Sequence, residues 1–196
     1  MLVEIFDHMD LCTAAEVTRM LPLVSPQRRA EALRYTHIHG QFCCLRSYLM
    51  LTELVGAISP TLDYTCPEFE YNDYGKPAIK GRPDMQFSIS HTKNAIAVVI
   101  SSAPIGIDIE KIHAPSEALV KKTMNEAEQS RIEQAKDPAA EFTSLWTQKE
   151  ALLKLRGTGI VDELHHVLDD TQDILFETHI CPHYVWTVAQ HRNIGL

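Results

Sequence analysis

No stretch of this 196-residue chain stays apolar for the ~20 residues that a membrane-spanning helix needs. A membrane protein is therefore not expected. Paired cysteines are missing as well. Cys12, Cys43, Cys44, Cys66 and Cys181 make an odd number, and no two stand at a CxxC spacing. That pattern points to reduced thiols and a cytoplasmic location, not to a disulfide framework. Cys43 and Cys44 fall in an apolar helical stretch and are placed in the core. Excess base is absent too: 18 Lys and Arg against 26 Asp and Glu leave a net charge of −8. This argues against broad non-specific nucleic-acid binding, although a local basic patch stays open. The segment Met1 to Asp7 carries acids and no basic run, so a secretory leader is not expected.

What remains is an ordinary globular composition, 45% hydrophobic and 22% charged. A chain of this length buries about 70% of its unfolded surface and folds as one unit without a staple. Leu2 to Phe6 alternates like a strand. Ser25-Pro26 is a helix start, followed by Arg28, Arg29 and Arg34. A second helix is predicted from about Gln41 to Val55, with Gly56 as its stop. Tyr74-Gly75-Lys76-Pro77 is a turn signal. Phe87 to His91 and Ala95 to Ser101 read as strands joined by Thr92-Lys93-Asn94, and Ile105 to Glu110 as another strand. Helices follow near Ser116, near Asn125 and over 141–156. Ile174 to Thr178 and Tyr184 to Gln190 read as an antiparallel pair joined around Cys181-Pro182-His183. The order strand, helices, strands occurs twice. The expected fold class is α+β, with two similar halves, 1–102 and 103–196, related by pseudo-two-fold symmetry. No direct sequence repeat accompanies that order.

Two clusters carry chemistry. On a strand, Asp108 and Glu110 point to one face while Ile105, Ile107 and Ile109 point to the other. Two adjacent carboxylates repel, and a divalent cation removes that cost. Magnesium suits one or two carboxylates completed by phosphate oxygens and water. On the 141–156 helix, Trp146, Glu150 and Lys154 form one stripe. Lys149 lies about 100° round from Glu150 and is expected to flank the same site. Gly157 and Gly159 end the helix and allow a close backbone approach. A strand and a helix with charged, solvated outer faces would account for the same residues, including a Glu150–Lys154 pair. Ser90, His91 and Thr92 offer donors to a phosphate. His37, His39, His165, His166, His179, His183 and His191 show no metal spacing and are read as structural or surface residues.

Taken together, Tyr74-Gly75-Lys76-Pro77, Phe87 to Thr92, Ile105 to Glu110, and Trp146 to Lys154 with Gly157-Thr158-Gly159 resemble the 4′-phosphopantetheinyl transferases. The blocks occur in order over most of residues 25–160, and the chain resembles the larger monomeric branch typified by surfactin-synthetase activating enzymes. The resemblance implies transfer of 4′-phosphopantetheine from coenzyme A to a serine of an apo acyl or peptidyl carrier protein, with magnesium, releasing 3′,5′-ADP. It implies that Asp108, Glu110 (directly or through water) and Glu150 hold the metal. Glu150 would also be the base, and Lys154, assisted by Lys149, would neutralise the diphosphate. His91 would meet a phosphate with Ser90 and Thr92 near the nucleotide, and Lys76 and Pro77 would line the adenine side. Glu31 and Gln41 fall where many relatives carry basic residues for the 3′-phosphate, a role left to Arg28 or Arg29. The implied partner is an acidic carrier protein. Lys111, Lys121 and Lys122 are the candidates to dock it, or else an ordinary solvated face. A non-catalytic protein that binds coenzyme A or a nucleotide on the same fold is the alternative.

Overall fold

The computed structural model describes residues 1–59, 67–159 and 163–192. Strand β1 (Leu2–Phe6) is followed by helices α1 (Ala14–Met20), α2 (Pro26–Ala32) and α3 (Ile38–Ile58). Then come β2 (Phe69–Tyr71), β3 (Pro77–Ile79), β4 (Gln86–His91), β5 (Ile96–Ser101) and β6 (Ile105–Lys111). Helices α4 (Glu117–Thr123), α5 (Glu126–Gln134) and α6 (Pro138–Arg156) precede the closing strands β7 (Ile174–Ile180) and β8 (Tyr184–His191). The expected α+β class holds.

The start signals read from the sequence are real caps. The Ser25 hydroxyl accepts the Arg28 N–H, Ser116 caps α4, and Asn125 forms a reciprocal capping box with Glu128. Helix α3 departs from its expected limits. It begins at Ile38, because the His37 imidazole caps the Gly40 N–H, and it runs through Gly56 to Ile58. Gly56 is no stop, since Phe42, Leu45, Tyr48, Leu51 and Val55 bury one continuous face and tertiary packing outweighs one glycine.

Both three-stranded sheets are antiparallel, in the orders β1-β5-β4 and β6-β8-β7. In each, the first strand is at one edge, the last strand is in the middle, and a long helix intervenes in sequence. The two sheets thus share one strand order. Ile96, Val98 and Ile100 of β5 pack in the cluster that includes α3. The alternate residues Ala95, Ala97 and Val99 meet Ile105, Ile107 and Ile109 of β6. Burying each of those isoleucines contributes about 1.5–3 kcal/mol. The edge of β6 lies against β4, where the Ile107 N–H donates to Ser88 Oγ at 3.1 Å.

Among the described residues, Cys12, Cys43, Cys44 and Cys181 are free thiols. Cys43 is buried as expected, Cys44 only half so, and Cys66 lies outside the described residues. No helix among the described residues is long and apolar enough to cross a membrane.

Candidate active site

Helix α6 lies directly on β6, and one glycine permits it. A Cβ on Gly106 would stand 2.0 Å from the Ala151 carbonyl oxygen and 2.5 Å from the Leu155 nitrogen. No side chain fits there, so the helix and strand backbones touch. That contact brings α6 residues Glu150 and Lys154 opposite the Asp108–Glu110 face of β6. The helix is fixed at both ends: Asp137 caps it with Pro138 in the first turn, and Gly157 (φ 68°) closes it by donating its N–H to the Leu153 carbonyl.

Asp108 is buried, and its two oxygens differ. Oδ1 accepts from Lys154 Nζ at 2.7 Å and from Ser90 Oγ at 2.8 Å. Oδ2 is equally shielded and has no hydrogen-bond partner. A buried carboxylate oxygen without a partner is costly and wants a cation. Burial, with the Asp108 and Glu150 carboxylates adding to it, pushes Glu110 up to about 7. Burial and then Asp108 raise Glu150 as well. Three acids thus crowd one place with Lys154 as their nearest cation. Among the described residues, no three His, Cys, Asp or Glu side chains form a ready metal cage. A magnesium ion completed by phosphate oxygens and water does not require one, and the Asp108 Oδ2 orphan fits that donor set.

The Glu150–Lys154 pair of the solvated-face alternative is not found among the described residues; Lys154 pairs with Asp108, because α6 faces β6 and not bulk water. Lys149 also differs from its expected role beside the diphosphate. It is 1% exposed, and its ammonium donates to Glu128 Oε2 at 2.7 Å, the Leu164 carbonyl at 2.8 Å and the Thr123 carbonyl at 3.0 Å. All its donors are spent in tying α4, α5 and the segment near Leu164 to α6.

Beside the carboxylates opens a cleft of about 330 Å³, lined by Glu150, Lys154, Gly157, Gly159 and the turn Tyr74-Gly75-Lys76-Pro77. The turn is pinned to the end of α6. Asn72 Nδ2 donates to the Gly157 carbonyl at 3.0 Å, while Asn72 Oδ1 accepts the N–H groups of Tyr74 and Lys76. Lys76 Nζ donates to the Leu155 carbonyl at 3.1 Å, and burial lowers its basicity. The backbone of the turn and Pro77 therefore line the cleft while the Lys76 charge serves the helix end. Asn72 was not marked by the sequence reading. The short side chain next to a Gly-containing turn was the available signal.

Ser90, expected near the nucleotide, donates its hydroxyl to Asp108. Thr92 closes the β4–β5 turn, its N–H donating to Ala95. His91 is at the end of β4 and is exposed. Desolvation of the ring, then His39 and Lys154, hold it below the usual imidazole range. Arg28 stands in a separate concavity with Glu31, Arg34, Tyr35, Cys44 and Tyr71. Its guanidinium lies 4.8 Å over Phe69 and 5.2 Å over Tyr48, and Nη1 is 3.1 Å from Glu31. Gln41, for its part, donates to the Tyr35 carbonyl. Lys111, Lys121 and Lys122 are exposed, and Lys121 is paired with Glu117 at 2.6 Å.

Comparison with known proteins agrees with this geometry. Residues 104–191 match the 4′-phosphopantetheinyl transferase superfamily. Over 151 residues the chain is 35% identical to a 4′-phosphopantetheinyl transferase of Bacillus subtilis, covering 76% of this chain and 66% of that protein. It is 31% identical over 148 residues to the 4′-phosphopantetheinyl transferase Sfp of Bacillus subtilis strain 168, covering 74% and 65%. A 4′-phosphopantetheinyl transferase AcpT of Salmonella typhimurium is 33% identical over 96 residues, 46% of this chain and 50% of that one. The chain spans just under two thirds of the two Bacillus relatives. It thus resembles the 4′-phosphopantetheinyl transferases across most of its length.

Proposed function

We propose that the protein transfers 4′-phosphopantetheine from coenzyme A to a serine of an apo acyl or peptidyl carrier protein. The observation that carries this reading is Asp108: one oxygen is saturated by Lys154 and Ser90, and the other is buried and free beside Glu110 and Glu150. In the reaction the serine oxygen forms a bond to the phosphorus that bears pantetheine, the bond from that phosphorus to the 3′,5′-ADP oxygen breaks, and the serine proton leaves. Phosphoryl transfer asks mainly for positioning and neutralised charge.

The residues divide that work. Asp108, through Oδ2, with Glu110 and Glu150, would hold a magnesium ion, which when bound supplies charge neutralisation on the diphosphate. Lys154 adds positive charge from the opposite wall. Glu150, its carboxyl raised by burial, takes the serine proton directly or through water. His91 binds a phosphate, and the pinned turn at Lys76 and Pro77 takes the adenine side. Residues 1–102 and 103–196 are the two related halves that meet at this site. One chain supplies both sides, so the protein acts as a monomer, in the cytoplasm. Lys111 and Lys122, with Lys121 shared with Glu117, give an acidic carrier its docking charges.

Intact-mass measurement of several apo carrier proteins incubated with the protein, coenzyme A and magnesium tests the reading. A carrier heavier by one phosphopantetheine is expected. Binding of coenzyme A with every carrier mass unchanged, alongside a working family enzyme, would instead favour a non-catalytic binding protein.

A further inference from the structure

Most of the histidines are spent locally. His37 caps α3, His165 meets the Lys121 carbonyl, and His166, His179 and His191 face Asp169, Glu177 and Asp173. His39 is different. It is the second residue of α3, partly exposed, and among the described residues no carboxylate pairs with it. Its ring nitrogens lie 3.8 and 3.7 Å from Cys43 Sγ. One thiol S–H can donate to only one ring nitrogen at a time, so the other, with its N–H, stays available for another partner. Burial holds the Cys43 thiol up to about 12, so it brings no counter-charge. Besides His37 on its own helix start, 6.4 Å away, its ring neighbour is His91, 6.3 Å away between centroids and steeply inclined at 76°. Two imidazoles set edge to face, with Lys154 in electrostatic range of His91 and the Asp108 carboxylate in that range already held by Lys154 and Ser90, make a place for an anion.

We propose that His39 is a further phosphate-binding residue, which with His91 takes the phosphate oxygens of the nucleotide. This rests on the reading that the cleft binds coenzyme A. Each ring, whichever tautomer it adopts, offers an N–H to phosphate, and a bond to a charged acceptor is among the stronger kinds. The sequence sets His39 among the structural or surface histidines because it shows no metal spacing. Only the packing of α3 beside the end of β4 brings the rings together.

Titration calorimetry with coenzyme A and with 3′,5′-ADP, together with steady-state kinetics, tests the proposal. His39→Phe keeps a ring over Cys43 and removes both nitrogens. It is expected to weaken both nucleotides about tenfold, as loss of a hydrogen bond to a charged group does. The change should appear in KM for coenzyme A and not in KM for the carrier protein. His39→Gln, which keeps a donor, should recover part of the loss. In a His91→Ala background the His39→Phe penalty should shrink to less than about threefold, since the two rings share one ligand. Parent-like nucleotide affinity in His39→Phe, or full additivity with His91→Ala, would overturn the role of His39 alone. A parent protein that binds no coenzyme A would overturn the proposed function and this role with it.

Discussion

Lys154 of α6 and Asp108 of β6 join across the helix–strand contact, Nζ to Oδ1 at 2.7 Å, with the lysine 30% and the aspartate 4% exposed at the side chain. The pair fixes one carboxylate oxygen and leaves the other free. In the proposed reaction the same lysine faces the diphosphate, so holding Asp108 and neutralising phosphate are two tasks of one ammonium.

The crowded acids make stability depend on pH in a definite direction. Glu110 keeps its proton to about pH 7 in the folded protein but releases it near pH 4.5 when unfolded. Between those values the folded state binds more protons, so stability falls as pH rises through that window. Thermal unfolding without divalent ions should show a Tm that declines from pH 5 to pH 8. Added magnesium should raise Tm more at pH 8 than at pH 5. A magnesium effect independent of pH would contradict the assignment.

Lys149 should behave as a fold residue. Removing one member of a buried pair leaves the other charge stranded and costs about 3–5 kcal/mol. Lys149→Met should lower the denaturant midpoint sharply, and Lys149→Met with Glu128→Leu should recover part of the loss. If Lys149→Met is as stable as the parent but binds coenzyme A poorly, the ammonium belongs to the ligand after all.

Gly106→Ala is a one-carbon test of the contact under the site. The new Cβ meets backbone on two sides, so α6 must move, at a cost of about 1–3 kcal/mol or more. Urea unfolding reads the stability. Transfer activity should fall further than the folded fraction does, because Glu150 and Lys154 shift with the helix.

Asn72→Ala releases the turn from the end of α6. It deletes the bond to the Gly157 carbonyl and the two bonds received by Oδ1. KM for coenzyme A should rise several-fold with little change in Tm. An unchanged KM would mean the turn does not contact the nucleotide.

Much of this was legible along the chain because it is local. Alternation put Asp108 and Glu110 on one face and the three isoleucines on the other, and Ser116, Asn125 and Gly157 marked their helix ends. What escaped is set by neighbours distant in sequence. A helical wheel gives the angle of Lys149 but not that Glu128 waits there. It pairs Glu150 with Lys154 but cannot see that β6 offers Asp108. The need for Gly106 arises 45 residues away, at Ala151. Arg28 pairs with Glu31 one turn along α2, a local contact, but its stacking over Tyr48 of α3 and Phe69 of β2 arises only from tertiary packing.

The most direct test of the central claim is the single-turnover rate of carrier modification, read by intact mass at saturating magnesium and coenzyme A, in the parent and in Asp108→Asn. The substitution keeps the size of the side chain and removes the charge that Oδ2 presents. A loss of about 100-fold or more, the scale for removing one group that stabilises transition-state charge, is predicted. A rate within a few-fold of the parent, from a variant that folds normally, would contradict it.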